Sequence, residues 1–140
     1  MKIIHGLMEK LKFMEEIRVK SFKSWQYKDG DNCSVKKMAE AGFYYSGHAE
    51  DDDSATCFVC GKVLDGWERN DQPWNEHDKH APNCKFVRMH NTEDVLTVEE
   101  FFDLAQMLIK SHATTNFNKK LSAIKKIAEN VNNCLKNQQF

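Results

Sequence analysis

Cys57, Cys60, His77 and Cys84 are the residues of this 140-residue chain best able to do chemistry, and their spacing is Cys-x2-Cys-x16-His-x6-Cys. Three thiolates and one imidazole complete a tetrahedron around Zn2+. Four protein ligands leave no coordination position for water or substrate, so the role such a site supports is structural rather than catalytic. The Cys57–Cys60 pair, with Gly61 behind it, fits a knuckle in which backbone amides point at the sulfurs. Binding one zinc ion contributes on the order of 10 kcal/mol to folding, and a domain this small needs such a staple. One structural Zn2+ per chain is expected, with residues 16–90 unfolding when it is removed. The chain has five cysteines, an odd number that argues against a disulfide framework. Clustered cysteines with a histidine read as metal ligands in a reducing compartment, and Cys33 and Cys134 then read as free thiols.

The elements that must position these ligands are legible in outline. Residues 16–90 hold most of the aromatics, four of the five cysteines and both prolines, which marks the compact unit. Ser34 as N-cap and Gly42 as stop predict a helix over Val35–Ala41. Thr56–Val59 and Lys62–Trp67 read as short strands about a turn at Gly61, and Pro73 suits the start of a helix carrying His77. Before this unit, residues 1–15 place Ile4, Leu7, Met8, Leu11 and Met14 at helical spacing, as a segment packing on the domain. After it, a linker over 91–96 leads to a helix over 97–140. Thr97 and Glu100 form a capping box there, and Leu96 can staple to Phe101.

From Thr97 onward there is no Gly or Pro. One stripe runs Val98, Phe102, Ala105, Ile109, His112, and a second runs Phe117, Leu121, Ile124, Ala128, Val131, Leu135, a heptad-like seam. The two differ in phase by about one residue, so a single long helix with a local phase shift or bend is expected, about 60 Å long at 1.5 Å per residue. A domain of this size cannot cover such a seam, which therefore wants partner helices or a second copy of itself.

The net charge of −1 gives no global pull toward nucleic acid or anionic membrane. Between Glu50 and His80, however, nine carboxylates face three cations. Such a stretch attracts a cationic peptide and repels a phosphate backbone, which speaks against direct DNA binding. No apolar run is long enough to cross a bilayer, and lysines and glutamates interrupt the N-terminal apolar residues. A protein kept in the cytosol or nucleus is expected.

The flanking residues extend the metal motif: Arg18-x-x-Ser21-Phe22-x-x-Trp25, Met38-Ala39-Glu40-Ala41-Gly42-Phe43-Tyr44-Tyr45, Cys57-Phe58-Val59-Cys60, Leu64-x-Gly66-Trp67, Asp71-x-Pro73-Trp74-x-Glu76-His77 and His80-x-x-x-Cys84-x-Phe86-Val87. This pattern, from about Arg18 to Arg88, resembles a baculoviral inhibitor-of-apoptosis (BIR) repeat. The resemblance implies an α+β fold: a small zinc-binding domain with a short three-stranded sheet and short helices. Family members with a single repeat followed by a long helix imply a non-enzymatic subunit of the chromosomal passenger complex. Their repeat reads a phosphorylated histone tail starting Ala-Arg-phosphoThr, and their helix bundles with helices of borealin and the inner centromere protein. The assembly places Aurora B kinase at centromeres in early mitosis and at the spindle midzone and midbody later.

For that role Asp71 and Asp65 would meet the peptide amine, Leu64 and Trp67 would floor the alanine pocket, and Lys62 and His80 would take the phosphate. The peptide could add as a strand along Lys62–Gly66. Asp65 stands where glutamate is usual in these members, a carboxylate one methylene shorter, and Trp74 is an addition that could enlarge the floor. Each residue also has a plainer use: Trp67 as core, Asp71 as cap of the Pro73 helix, His80 as a solvated helix residue. The resemblance further implies a homodimer of the free protein through Leu7, Val98, Phe101 and Phe102, and a helix-partner interface on Phe117, Leu121, Ile124, Val131 and Leu135. The alternative function is an inhibitor of apoptosis whose groove binds free N-terminal Ala motifs of caspases or their antagonists. An enzyme of the hydrolase or ubiquitin-ligase kind would need an open metal site or a RING finger, and neither is legible in these residues.

Overall fold

The computed structural model describes residues 2–49, 52–90 and 97–137, apart from the side chains of Lys2, Ile4, His5 and Met8. The linker expected over 91–96, the Leu96–Phe101 staple, Glu50 and the last three helix residues lie outside the described residues. Two compact units are resolved, Met1–Leu104 and Ala105–Phe140. The first carries helices α1 (Lys2–Lys10), α2 (Glu15–Ser21), α3 (Val35–Glu40), α4 (Pro73–His80) and α5 (Lys85–Met89), and strands β1 (Phe43–Tyr45), β2 (Ala55–Cys57) and β3 (Val63–Leu64). Helix α6 (Val98–Asn137) begins in the first unit and supplies the second.

The strands form one antiparallel sheet in the order β1-β2-β3, with Phe43 opposite Cys57 and Ala55 opposite both Tyr45 and Leu64. The second and third strands are shorter than the sequence predicts. Phe58–Cys60 turns instead of continuing β2, because the amides there point at sulfur. Beyond Leu64 the chain leaves the ladder at Gly66, whose φ of +68° is left-handed.

Helix α3 ends where expected. Gly42 sits at φ +89°, and a Cβ there would lie 2.9 Å from the Phe86 ring, so both conformation and space require glycine. Ser34 occupies the N-cap position, yet its hydroxyl makes no capping bond. Pro73 opens α4 as predicted. The capping box of α6 is formed: the Glu100 amide donates to Thr97 Oγ1 (3.2 Å) and the Thr97 amide to Glu100 Oε2 (2.8 Å).

The core of the first unit gathers Met38, Ala39 and Ala41 from the α3 region with Phe43, Ala55, Cys33 and Leu104. Phe43 meets Trp67 edge-on at 5.3 Å, and Phe58 meets both Phe86 (5.0 Å) and Phe13 (6.0 Å). Arg18 is buried among these rings, 4.3 Å from the Phe58 ring centre. Its guanidinium donates to the carbonyls of Ala39 (2.9 Å), Lys12 (3.1 Å) and Phe13 (2.7 Å). Burial holds its pKa down at about 10, so it stays charged and binds the α1–α2 turn to the end of α3.

Candidate metal centre and neighbouring loop

Cys57 ends β2, Cys60 closes the following turn, His77 lies in α4 and Cys84 precedes α5. Their ligand atoms all lie within 4.8 Å of one another. Zn–S bonds of about 2.3 Å in a tetrahedron require sulfurs about 3.8 Å apart. Cys57 Sγ and Cys84 Sγ are 3.9 Å apart, and Cys60 Sγ is 3.7 Å from His77 Nε2. The expected knuckle is present: the Val59 amide reaches Cys57 Sγ at 3.4 Å.

His77 is fully buried, and its Nδ1–H donates to the Ala41 carbonyl at 2.8 Å, which turns Nε2 toward the sulfurs. Left to themselves, sulfurs this close share protons. The hydrogen bond from Cys57 draws the Cys84 thiol down, while that bond and burial push Cys57 up. A divalent cation removes the conflict by letting all three ionise. Donor set, spacing and imidazole orientation fit zinc, and these four residues form the zinc site.

The residues expected to meet a peptide fall in two groups. Leu64 ends β3, and Asp65, Trp67 and Asp71 lie in the loop that follows it. Trp67 is only 4% exposed, with its indole N–H donating to Leu64 O at 3.3 Å, so it serves as core, while Leu64 is half-buried. Asp71 does not cap α4, whose N-cap is Gln72. Its Oδ2 accepts the Glu68 amide at 2.8 Å within the loop. Asp65 is exposed.

Lys62 and His80, both exposed, lie on separate elements, each close in sequence to one of the ligands Cys60 and His77. His80 Nε2 is 3.3 Å from Glu76 Oε2, so it already faces a carboxylate. Trp74 stacks on His90 at 3.6 Å and lines a cleft of about 350 Å3 with Asn32, Lys37, Glu40, Gln72 and Pro73, a lining that does not include Leu64. Sequence reasoning missed Asp53, whose carboxylate accepts the amides of Gly66 and Trp67, both at 2.8 Å. Only its place in an acidic run beside β2 could have drawn notice.

Of the interface residues, Val98 and Phe102 are well exposed, Leu7 is half-buried, and Phe101 is partly covered by Phe13, 4.8 Å away. Phe117, Leu121, Ile124, Val131 and Leu135 are exposed along α6, as is Ile127. Among the described residues no helix is long and apolar enough to cross a membrane.

The BIR, or Inhibitor of Apoptosis, domain matches residues 18–88. The guinea-pig (Cavia porcellus) Baculoviral IAP repeat-containing protein 5 is 35% identical over 119 residues, covering 85% of this chain and 84% of the relative. The rat (Rattus norvegicus) protein of the same name is 36% identical over 108 residues, 77% of this chain and 76% of the relative. The Xenopus laevis protein 5.1-B is 40% identical over 96 residues, 69% and 60% respectively. With its zinc-bearing region matched and its likeness to these relatives extending over most of its length, the chain belongs to the BIR-domain inhibitor-of-apoptosis family.

Proposed function

We propose that this protein is a non-enzymatic subunit of the chromosomal passenger complex, acting in nucleus and cytoplasm. Its BIR domain reads the phosphorylated histone tail that begins Ala-Arg-phosphoThr. Its helix α6 bundles with borealin-like and inner-centromere-protein-like helices, and Aurora B kinase reaches centromeres, and later the midzone and midbody, through that assembly.

The observation that carries the reading is the Leu64–Asp71 loop. Half-buried Leu64 ends β3, and Asp65 and Asp71 follow it on a loop whose backbone is pinned by carboxylates. A free ammonium needs carboxylates, and an alanine methyl needs a shallow apolar floor. β3 is an edge strand, so a peptide can pair with it along the main chain. Lys62 and His80 supply cations for the phosphate. The free protein would associate through Leu7, Val98, Phe101 and Phe102 into a homodimer.

A second reading has one observation in its favour. His80 already faces Glu76, and a groove that recognises the amine alone would serve an inhibitor of apoptosis binding N-terminal Ala motifs of caspases or their antagonists. Two variants separate the readings. Asp71→Ala should weaken every Ala-starting peptide about tenfold or more, because hydrogen bonds to charged groups contribute roughly 1.5–3 kcal/mol. Lys62→Ala should weaken the phosphorylated tail and spare the unmodified one. Equal losses for both tails in both variants would leave the amine-only groove.

A further inference from the structure

We propose that Asp53 is a positioning residue for amine recognition: it never touches the peptide, but fixes the loop that carries Asp65 and Asp71. This rests on the reading of that loop as the amine site. Asp53 lies just before β2 and is half-buried. Its Oδ1 accepts the Gly66 amide and its Oδ2 the Trp67 amide, each at 2.8 Å. The next amide, Glu68, donates to Asp71 Oδ2 at 2.8 Å. Three consecutive amides therefore end on two carboxylates, one remote in sequence and one placed to meet the ligand.

The same peptide segment is held from its other side, where the Tyr27 hydroxyl donates to the Trp67 carbonyl. Gly66 needs this restraint, because its left-handed backbone lies outside any strand ladder and a glycine loses much conformational freedom when ordered. With Asp53 in place, the distance between Asp65 and Asp71 is set before a peptide arrives, and binding does not have to order the loop.

Asp53→Asn keeps size and shape, but turns one acceptor into an NH2 facing an amide N–H. Zinc-loaded wild type and variant would be titrated with free-amine and N-acetylated Ala-starting tails, phosphorylated and unmodified. The expected result is about a tenfold loss for both free-amine tails, from the hydrogen-bond energies involved. The ratio between phosphorylated and unmodified tails should not change, nor should one zinc per chain. The loss should persist at about 0.5 M salt, where a through-space effect of the removed charge is screened. Gly66 and Trp67 amides should shift upfield and exchange faster by NMR.

Unchanged affinity, or a loss abolished by salt, would overturn the proposal while leaving the groove reading intact. Failure of wild type to prefer the free amine over the N-acetylated tail would defeat the groove reading, and this inference with it. Should Asp53→Asn lose zinc or unfold, Gly66→Ala perturbs the same turn: no atom lies within 4 Å of the added Cβ, so only the backbone conformation is disfavoured. The same amine-selective loss there supports the proposal, and unchanged binding overturns it.

Discussion

Cys33 and Cys134 are chemically alike, and the fold separates them. Cys33 is fully buried, with its thiol pushed up to about 12 by burial and, less strongly, by Asp71, Asp53 and Asp31. Cys134 is exposed on α6. A thiolate is the reactive form, so the zinc-loaded protein should alkylate rapidly at Cys134 alone near neutral pH, and at all five cysteines after chelation in denaturant. Mass spectrometry that finds Cys33 labelled as fast as Cys134 would contradict this packing. Raising the pH adds a second check. The raised Cys33 pKa stabilises the fold below the ordinary thiol range, and that contribution is lost as pH climbs from about 9 toward about 12. Arg18 makes the other residue-scale prediction. Arg18→Ala strands three buried or half-buried carbonyls and should lower stability by at least about 2 kcal/mol in denaturant titrations of the zinc-loaded protein. A shift near zero would mean that water replaces the guanidinium.

At the scale of elements, what the sequence made legible is what local chemistry decides. The ligand quartet could be read because two cysteines three apart make a turn by themselves and Pro73 starts the helix that brings His77. Thr97 and Glu100 could be read because a capping box closes within one turn. Less was legible where partners are remote. Arg18 looks like any surface arginine until Ala39, Lys12 and Phe13 surround it. Asp53 is one acid in an acidic run until Gly66 and Trp67 turn back onto it. In the first turns of α6 Val98 and Phe102 are exposed, in keeping with their expected place at an interface, but the stripe did not name Leu104 and Leu108, which are buried together with its Ala105; helical period gives a face, and tertiary packing decides how much of it is covered. The strands are shorter than the sequence predicts because their β-formers sit in turns that serve zinc and Asp53.

The seam of α6 yields its own prediction. Leu121→Asp, Ile124→Asp and Val131→Asp together should abolish binding to borealin-like and inner-centromere-protein-like helices while zinc content and peptide binding stay intact. Complex formation at wild-type strength would show that another face is used. For self-association, Phe102→Asp is a cleaner probe than Phe101→Asp, because Phe101 also packs on Phe13. It should convert a dimer to a monomer in sedimentation. A wild-type protein that is already monomeric at high concentration would refute the interface.

For the whole molecule, the net charge of −1 conceals opposite halves. Ala105–Phe140 carries six lysines against one glutamate, so the first unit is acidic. The proposed cationic tail would be attracted to the first unit, and added salt should weaken that attraction. The zinc site ties the β2–β3 turn to α4, since it brings Cys60 and His77 together. His77→Ala or Cys84→Ala should therefore leave residues 16–90 molten, with loss of amide dispersion and of stoichiometric zinc. A folded, metal-free repeat would remove the structural role assigned to the ion.

In the proposed function a zinc-organised acidic groove reads a free N-terminal alanine and, two residues on, a phosphate. Calorimetric titration of the zinc-loaded protein with four tails tests it most directly: phosphorylated, unmodified, N-acetylated phosphorylated, and a caspase-antagonist tail. The account predicts tightest binding to the phosphorylated free-amine tail, weaker binding to the unmodified and antagonist tails, and near loss on acetylation. Equal binding of acetylated and free tails would contradict it.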